Sequence, residues 1–353
     1  MTDLAASQSS IPAKSDLPIA ALHREGHTHA GKILGDRYLL RSVLGRGGFG
    51  IVFLARNIAL PGQPLCVIKQ LAPPSTDPQL VAIARHQFEL EALSLSRLSS
   101  HAQIPSLLDY LQIGTDLYLV EEYIPGIDLR QIVSNQRRFT ELEVENFLTQ
   151  MLRVVKYIHS HHLIHRDLKP QNIILCRTDR RFVLVDFGSV KDIAPTTQPS
   201  QRMETIAIGT PGFTPPEQLA DRTVDASDIY ALGMTCIYLL TGKEPSQFPT
   251  DDRTCELLWA DTVEISTGLS DIIAKTIQIP LSERYHSAAA VLTALENRSI
   301  RAKLRTYLDR KHAIATSDSS GKPSSHYPAV VEWALGIDRA SESATGDRVE
   351  RKM

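Results

Sequence analysis

Cysteine is scarce in this 353-residue chain and never paired: Cys66, Cys176, Cys236 and Cys255 stand singly, with no CxxC. That spacing argues against a zinc ribbon or a disulfide framework and suits buried thiols in a reducing compartment. Long apolar runs are missing too. The longest that matters, IYALGMTCIYLL at residues 229–240, has twelve residues, whereas crossing a bilayer takes roughly 20. The opening MTDLAASQSSIPAKSDLP lacks the basic and apolar blocks of a secretory signal, so the expectation is a cytoplasmic protein without a membrane span. Neither sign of charge prevails. Against 38 Lys and Arg stand 40 Asp and Glu, which leaves no basic footprint for nucleic acid. There is no internal repeat. What remains is a globular composition long enough for two or three domain-sized units.

Residues 1–35 mix Ser, Ala, Pro and His without a period of 2 or 3.6, which predicts a flexible leader. From Asp36 the texture changes. YLLRSVLG, GIVFLARN and LCVIKQ read as three strands, and LLDYLQIG and LYLVEEYI as two more. Between them, Phe88, Glu91, Leu95 and Leu98 recur at helical spacing and predict a helix over 80–98. After Gly126 the chain turns mainly helical. Thr140 with Glu143 has the form of a capping box opening a helix to Ser160. NIILCR and FVLVDF are short strands, while DASDIYALGMTCIYLLTG and residues 287–295 are further helices. The fold class is therefore α+β. A small antiparallel sheet lobe with one main helix (about 36–124) precedes a larger, mostly helical lobe (about 125–298). Residues 299–353 are expected to be a basic helix end, with Arg301, Lys303, Arg305, Arg310 and Lys311, and then a Ser, Gly and Pro linker and polar tail. The basic run reads as a solvated helix end or as a docking face for an acidic surface.

Three markers carry chemistry. The first is Gly45-Arg46-Gly47-Gly48-Phe49-Gly50 followed by Ile51-Val52, which sits between two strands rather than opening a helix. Such a hairpin either lets backbone N–H groups approach phosphates or is an ordinary glycine-rich turn. Lys69, in the strand Cys66-Val67-Ile68-Lys69, is the second. Its charge among apolar neighbours needs a partner, and Glu91 on the following helix is the candidate. That pair is either structural or holds phosphates.

The third marker is His165-Arg166-Asp167-Leu168-Lys169-Pro170-Gln171-Asn172 followed by Val185-Asp186-Phe187-Gly188. Phosphoryl transfer needs a carboxylate to orient an acceptor hydroxyl and take its proton (Asp167) and a cation beside the moving group (Lys169). It also needs hard oxygen ligands for Mg²⁺ on a triphosphate (Asn172 and Asp186).

With these motifs the chain resembles the eukaryotic-type, or Hanks-type, serine/threonine protein kinases, in particular the bacterial members. The resemblance covers about residues 36–298 and implies the bilobal protein kinase fold with ATP between the lobes. It further implies that Gly45, Gly47 and Gly50 cover the phosphates, that Val52 packs on adenine, and that backbone groups of Glu122, Tyr123 and Ile124 bond it. By the same resemblance Lys69 and Glu91 form the activating ion pair, Asp167 is the base, Asn172 and Asp186 hold magnesium, and Arg166 clamps the activation segment.

Residues 209–217 (GTPGFTPPE) resemble the family's GTPGYxAPE segment, with Glu217 expected to pair with Arg284 and Asp228 to tie down the catalytic loop. Lys169 and Thr210 imply Ser/Thr acceptors on protein substrates. Autophosphorylation in trans is a further expectation, and Thr196, Thr197, Ser200 and, by preference, Thr205 are the candidate phosphorylation sites of the activation segment. Glu121 departs from the family, which commonly has Met, Leu, Thr or Phe at the back of the pocket.

Rival readings are a catalytically silent nucleotide-binding scaffold and a small-molecule phosphotransferase on the same fold. A metalloenzyme built on His159, His161, His162 and His165 lacks a second ligand cluster.

Overall fold

The computed structural model describes residues 31–47, 50–73, 76–193, 209–254 and 256–317. Most of the expected leader, the hydroxyl residues Thr196, Thr197, Ser200 and Thr205, the thiol of Cys255 and the tail from residue 318 lie outside them. The N-terminal lobe is a six-stranded antiparallel sheet ordered β1-β2-β3-β4-β6-β5. Its strands are β1 (Ile33–Leu34), β2 (Tyr38–Arg46), β3 (Gly50–Asn57), β4 (Leu65–Leu71), β5 (Leu107–Ile113) and β6 (Asp116–Glu122), with helix α1 (Pro78–Leu98) inserted after β4. The sequence predicts five strands and a leader to residue 35. Instead Ile33 and Leu34 pair with Leu39 and Tyr38, and Leu34 is buried in the sheet core. A two-residue strand is too short to show a period.

Alternation along the strands sends Tyr38, Leu40, Phe53, Ala55, Cys66, Ile68, Tyr118 and Val120 into one core. Helix α1 starts at N-cap Asp77, whose carboxylate accepts the Gln79 N–H at 2.9 Å. The same helix buries Ala84, Phe88, Glu91, Leu95 and Leu98 at steps of three or four residues, so a carboxylate rides on its apolar face.

The C-terminal lobe begins with β7 (Gly126–Asp128), α2 (Leu129–Ser134) and α3 (Glu141–Ser160). The expected capping box is formed: Thr140 Oγ1 accepts the Glu143 N–H at 3.3 Å, and Glu143 accepts the Thr140 N–H at 3.0 Å. Short strands β8 (Leu163–Ile164), β9 (Ile173–Cys176), β10 (Phe182–Leu184) and β11 (Lys191–Asp192) follow. They pair as β10-β9-β7 and β11-β8, holding the loops between them against the lobe.

Helices α4 (Pro216–Leu219), α5 (Asp225–Thr241), α6 (Thr267–Thr276) and α7 (Ala288–Ser317) complete the fold. Residues on every face of α5 are buried, and it ends on Gly242 in the left-handed region (φ 70°), with the Gly242 N–H on the Tyr238 carbonyl at 2.8 Å.

Helix α7 runs well past the expected helix at 287–295. It is fastened to α3 by Arg298, which bonds Glu145 at 2.6 Å and pairs with Glu141. Beyond that anchor Arg301, Lys303 and Arg305 are solvent-exposed. No helix among the described residues is long and apolar enough to cross a membrane.

Candidate active site

Between the lobes lies a cleft of about 730 Å³. Its roof is the β2–β3 hairpin, closed by Gly47 N–H to Gly50 carbonyl at 2.8 Å. Gly50 is sterically required there. A Cβ on it would come 2.2 Å from the Gln70 carbonyl oxygen, far inside contact distance.

Lys69 of β4 projects into the cleft and forms an ion pair with Glu91 of α1. Glu121 Oε1 stands 2.9 Å from the same ammonium and Asp186 Oδ1 4.0 Å from it. Burial works against the Lys69 charge, but Glu121, Glu91 and Asp186 outweigh it and hold its pKa well above the usual lysine range. Burial also pushes Glu91 up, to about 7, with Asp186 and Glu121 adding to it against the pull of Lys69.

The floor is the loop after β8. Asp167 Oδ2 accepts from Lys169 Nζ at 2.6 Å and from Asn172 Nδ2 at 3.0 Å, and its Oδ1 accepts the Thr210 hydroxyl at 2.9 Å. Lys169 also donates to Thr210 Oγ1 at 2.9 Å, which closes a ring of hydrogen bonds.

Arg166 (φ 67°) in this loop and Asp186 (φ 70°) in the loop after β10 adopt left-handed backbone, each at about 1–3 kcal/mol. Asp228, buried on α5, holds the first: its carboxylate accepts the N–H groups of His165 and Arg166, both at 2.9 Å. Gln218 Nε2 adds a bond to the Arg166 carbonyl at 2.7 Å. The Arg166 side chain reaches the Ser189 carbonyl at 2.6 Å, where the activation segment begins. His165 is fully buried, and its ring meets Phe187 edge-on at 5.0 Å.

Gly45, Gly47, Gly50, Val52, Lys69, Glu91, Glu122, Ile124, Asp167, Asn172 and Asp186 thus line one cleft, as does Tyr123. Lys169 does not line it; it reaches the cleft through Asp167. The sequence reading gives no role to several lining residues, namely Leu44, Val67, Ile174, Val185, Asp128 and Gln131. Asp128 had a signal, since its carboxylate caps α2 by accepting the Gln131 N–H at 2.8 Å, a D-x-x-Q pattern.

The oxygen set suits magnesium. The amide nitrogen of Asn172 is committed to the Asp167 carbonyl (2.9 Å) and carboxylate, which leaves its side-chain oxygen for a hard cation, and Asp186 supplies a carboxylate. Among the described residues no three His, Cys, Asp or Glu side chains converge as a metal cage. Two protein oxygens are what an ion carried on a nucleotide needs.

The profile of the protein kinase domain family matches residues 38–295. The chain belongs to that family. Serine/threonine-protein kinase B of Synechocystis sp. is 45% identical over 268 residues, covering 74% of this chain and 47% of the relative. Serine/threonine-protein kinase PknA of Nostoc sp. is 40% identical over 269 residues, or 75% of this chain and 48% of the relative. A probable serine/threonine-protein kinase PknB of Lactococcus lactis is 30% identical over 74% of this chain and 42% of its own length. This chain spans about half the length of the relatives it matches.

A second buried charge group lies under the catalytic loop of this kinase domain. His159 Nε2 is 2.9 Å from Asp228 Oδ2, and Nδ1 is 3.6 Å from Asp225. Burial works against the imidazolium, but the hydrogen bond and charge of Asp228, with Asp225 beyond, outweigh it and raise its pKa. Burial likewise opposes the Asp228 charge, yet His159 and the backbone N–H of His165 hold that carboxyl below its usual value.

A histidine raised in the folded state contributes stability that is complete below the unfolded pKa of about 6.5. That contribution is lost as pH rises through the higher folded value. Unfolding free energies measured by urea between about pH 6 and pH 9 will therefore fall more steeply for the unsubstituted chain than for His159→Gln. Parallel curves would show that His159 carries no such linkage.

Proposed function

We propose that this chain is a serine/threonine protein kinase that moves the γ-phosphate of ATP to Ser or Thr hydroxyls of proteins, itself included. The observation that carries the reading is the hydrogen-bond ring at Asp167. A threonine hydroxyl already donates to its carboxylate, with the Lys169 ammonium bonded to both. That is the arrangement an acceptor hydroxyl needs, with an anion to take its proton and a cation beside the oxygen that attacks.

In this reading Asp167 orients the acceptor and receives its proton as the oxygen bonds the γ-phosphorus. The bond from that phosphorus to the β-phosphate oxygen breaks, leaving ADP. Lys169 offsets charge on the moving group. Lys69, positioned by Glu91, holds the phosphates that stay behind. Magnesium held by Asn172 and Asp186 would neutralise charge on the triphosphate.

In this reading backbone groups of Glu122 and Ile124 bond the base and Val52 packs on it, which is supported by all three lining the cleft. The glycine roof fits the same ligand. A Cβ at Gly45 would meet nothing within 4 Å, and at Gly47 only the Gly50 oxygen at 4.0 Å, an open space that this reading gives to the phosphates. A reducing, cytoplasmic setting belongs to this reading and is supported by the buried free thiols of Cys66, Cys176 and Cys236.

The test is incubation of the full chain with γ-labelled ATP, Mg²⁺ and a general protein substrate, followed by phosphoamino acid analysis. Label is expected on Ser and Thr of substrate and chain, and is lost in Lys69→Met or when Mg²⁺ is chelated. Labelling that survives Lys69→Met would overturn the assignment of this cleft.

A further inference from the structure

Lys69 sits among more negative charge than one ammonium balances. Glu91, Glu121 and Asp186 all reach it within 4.0 Å, so with all three ionised two negative charges stand in excess. The three come from independent elements: α1, β6 and the loop after β10. The sheet register places the unusual member. Lys69 lies opposite Leu119 and Glu121 opposite Val67, which makes Lys69 and Glu121 diagonal neighbours on one face, within reach of two long side chains.

Glu121 is deeply buried, and its Oε1 makes no directed hydrogen bond, so the nearby charge of Lys69 is what compensates that atom. It is also fixed differently from Glu91. Glu91 rides on a helix packed against the sheet, whereas Glu121 belongs to the strand paired with the one that carries Lys69. An arriving triphosphate must share the ammonium with an anion built into the sheet itself. Like charge this close, on a carboxylate that is itself buried from solvent, opposes the phosphates directly.

We propose that Glu121 is a second counter-ion of Lys69 that competes with the nucleotide's phosphates and so weakens the part of binding that depends on them. This rests on the reading of the cleft as a nucleotide site. Glu121 is then a specificity-determining residue: it lowers discrimination in favour of phosphorylated nucleosides over the bare nucleoside, and it sets the ATP concentration at which the enzyme half-saturates.

Calorimetric titrations of Mg-ATP, Mg-ADP and adenosine into the full chain and its Glu121→Gln variant test this, together with KM and kcat. Adenosine carries the base and sugar without phosphate, so it separates charge competition from a change in pocket shape. Glu121→Gln is expected to tighten Mg-ATP about tenfold, to tighten Mg-ADP in the same direction, and to move adenosine by less than about twofold. The gain should appear in KM rather than kcat. Glu121→Met, which removes charge and hydrogen-bonding capacity together, is expected to shift Mg-ATP in the same direction and keeps the test open if the Gln variant folds poorly.

Equal tightening of adenosine and Mg-ATP would overturn the proposal, because Glu121 would then act on the base. Unchanged or weakened Mg-ATP binding in both variants would overturn it too. Absence of nucleotide binding by the unsubstituted chain would bring down the reading of the cleft, whereas normal binding that ignores Glu121 would bring down this inference alone.

Discussion

Asp167→Asn is expected to slow phosphoryl transfer by about 10²- to 10⁴-fold, the usual contribution of a positioned general base, while Mg-ATP still binds. The reason lies in how many donors the carboxylate serves. It accepts Lys169 and Asn172 on one oxygen and the Thr210 hydroxyl on the other. An amide has one accepting oxygen, which in Asn can stay with Lys169 and Asn172 if its nitrogen turns to Thr210. There the conflict is mild, because a hydroxyl can rotate and accept.

The loop therefore keeps its shape, held independently by Asp228 on the backbone of His165 and Arg166. What disappears is the negative charge that, in the proposed role, receives the acceptor's proton. Single-turnover rates with labelled ATP, calorimetric ATP affinity and the melting temperature separate these contributions. A rate within tenfold of the unsubstituted chain, with folding intact, would remove Asp167 from the role of base.

How far the sequence announces this site depends on the distance over which each signal acts. The capping box at Thr140 and Glu143 and the buried stripe of α1 are local, and they are legible because their periods and spacings are set by the helix itself. The strands carrying Lys69 and the glycine hairpin are legible for the same reason. Strand β1 is not, since Ile33 and Leu34 are ordered only by the neighbour they pair with. The length of α7 escapes for a related reason. Its apolar period fades after residue 295, and what fastens the helix there is the contact of Arg298 with α3.

At the site, residue types single out Asp167, Asn172 and Asp186 as candidates and the fold brings them to one cleft, but the partners of a side chain are tertiary facts. Glu121 is conspicuous in the sequence as an acid in an apolar strand, and only the diagonal register of β4 and β6 shows that it meets Lys69. Thr210 reads as part of a substrate segment, yet its hydroxyl bonds Asp167 from 43 residues away.

The support beneath the loop gives the largest expected effect on stability. The Arg284 side chain is completely buried, and its guanidinium stacks over Tyr230 at 4.9 Å. It donates to Glu217 Oε1 at 2.6 Å and Oε2 at 3.3 Å, and to the carbonyls of Gln278 (2.7 Å), Ala226 (3.1 Å) and Ile279 (3.2 Å). Those carbonyls satisfy its hydrogen bonds, but among the described residues only Glu217 balances its charge directly. Glu217→Ala leaves that charge buried and unpaired, which costs about 3–5 kcal/mol, a large share of the roughly 5–15 kcal/mol of a typical fold. It also removes the acceptor of the Ser227 hydroxyl at 2.8 Å, one residue from Asp228.

Two comparisons separate charge from packing. Glu217→Gln keeps one acceptor in the same shape and should cost less than Glu217→Ala. The double replacement Glu217→Ala with Arg284→Met removes the orphaned charge and should recover part of the loss, as expected when a buried pair is exchanged for apolar contacts. Urea unfolding midpoints measure all three. Glu217→Ala within about 1 kcal/mol of the unsubstituted chain would mean that the three carbonyls and the tyrosine ring hold the guanidinium unaided.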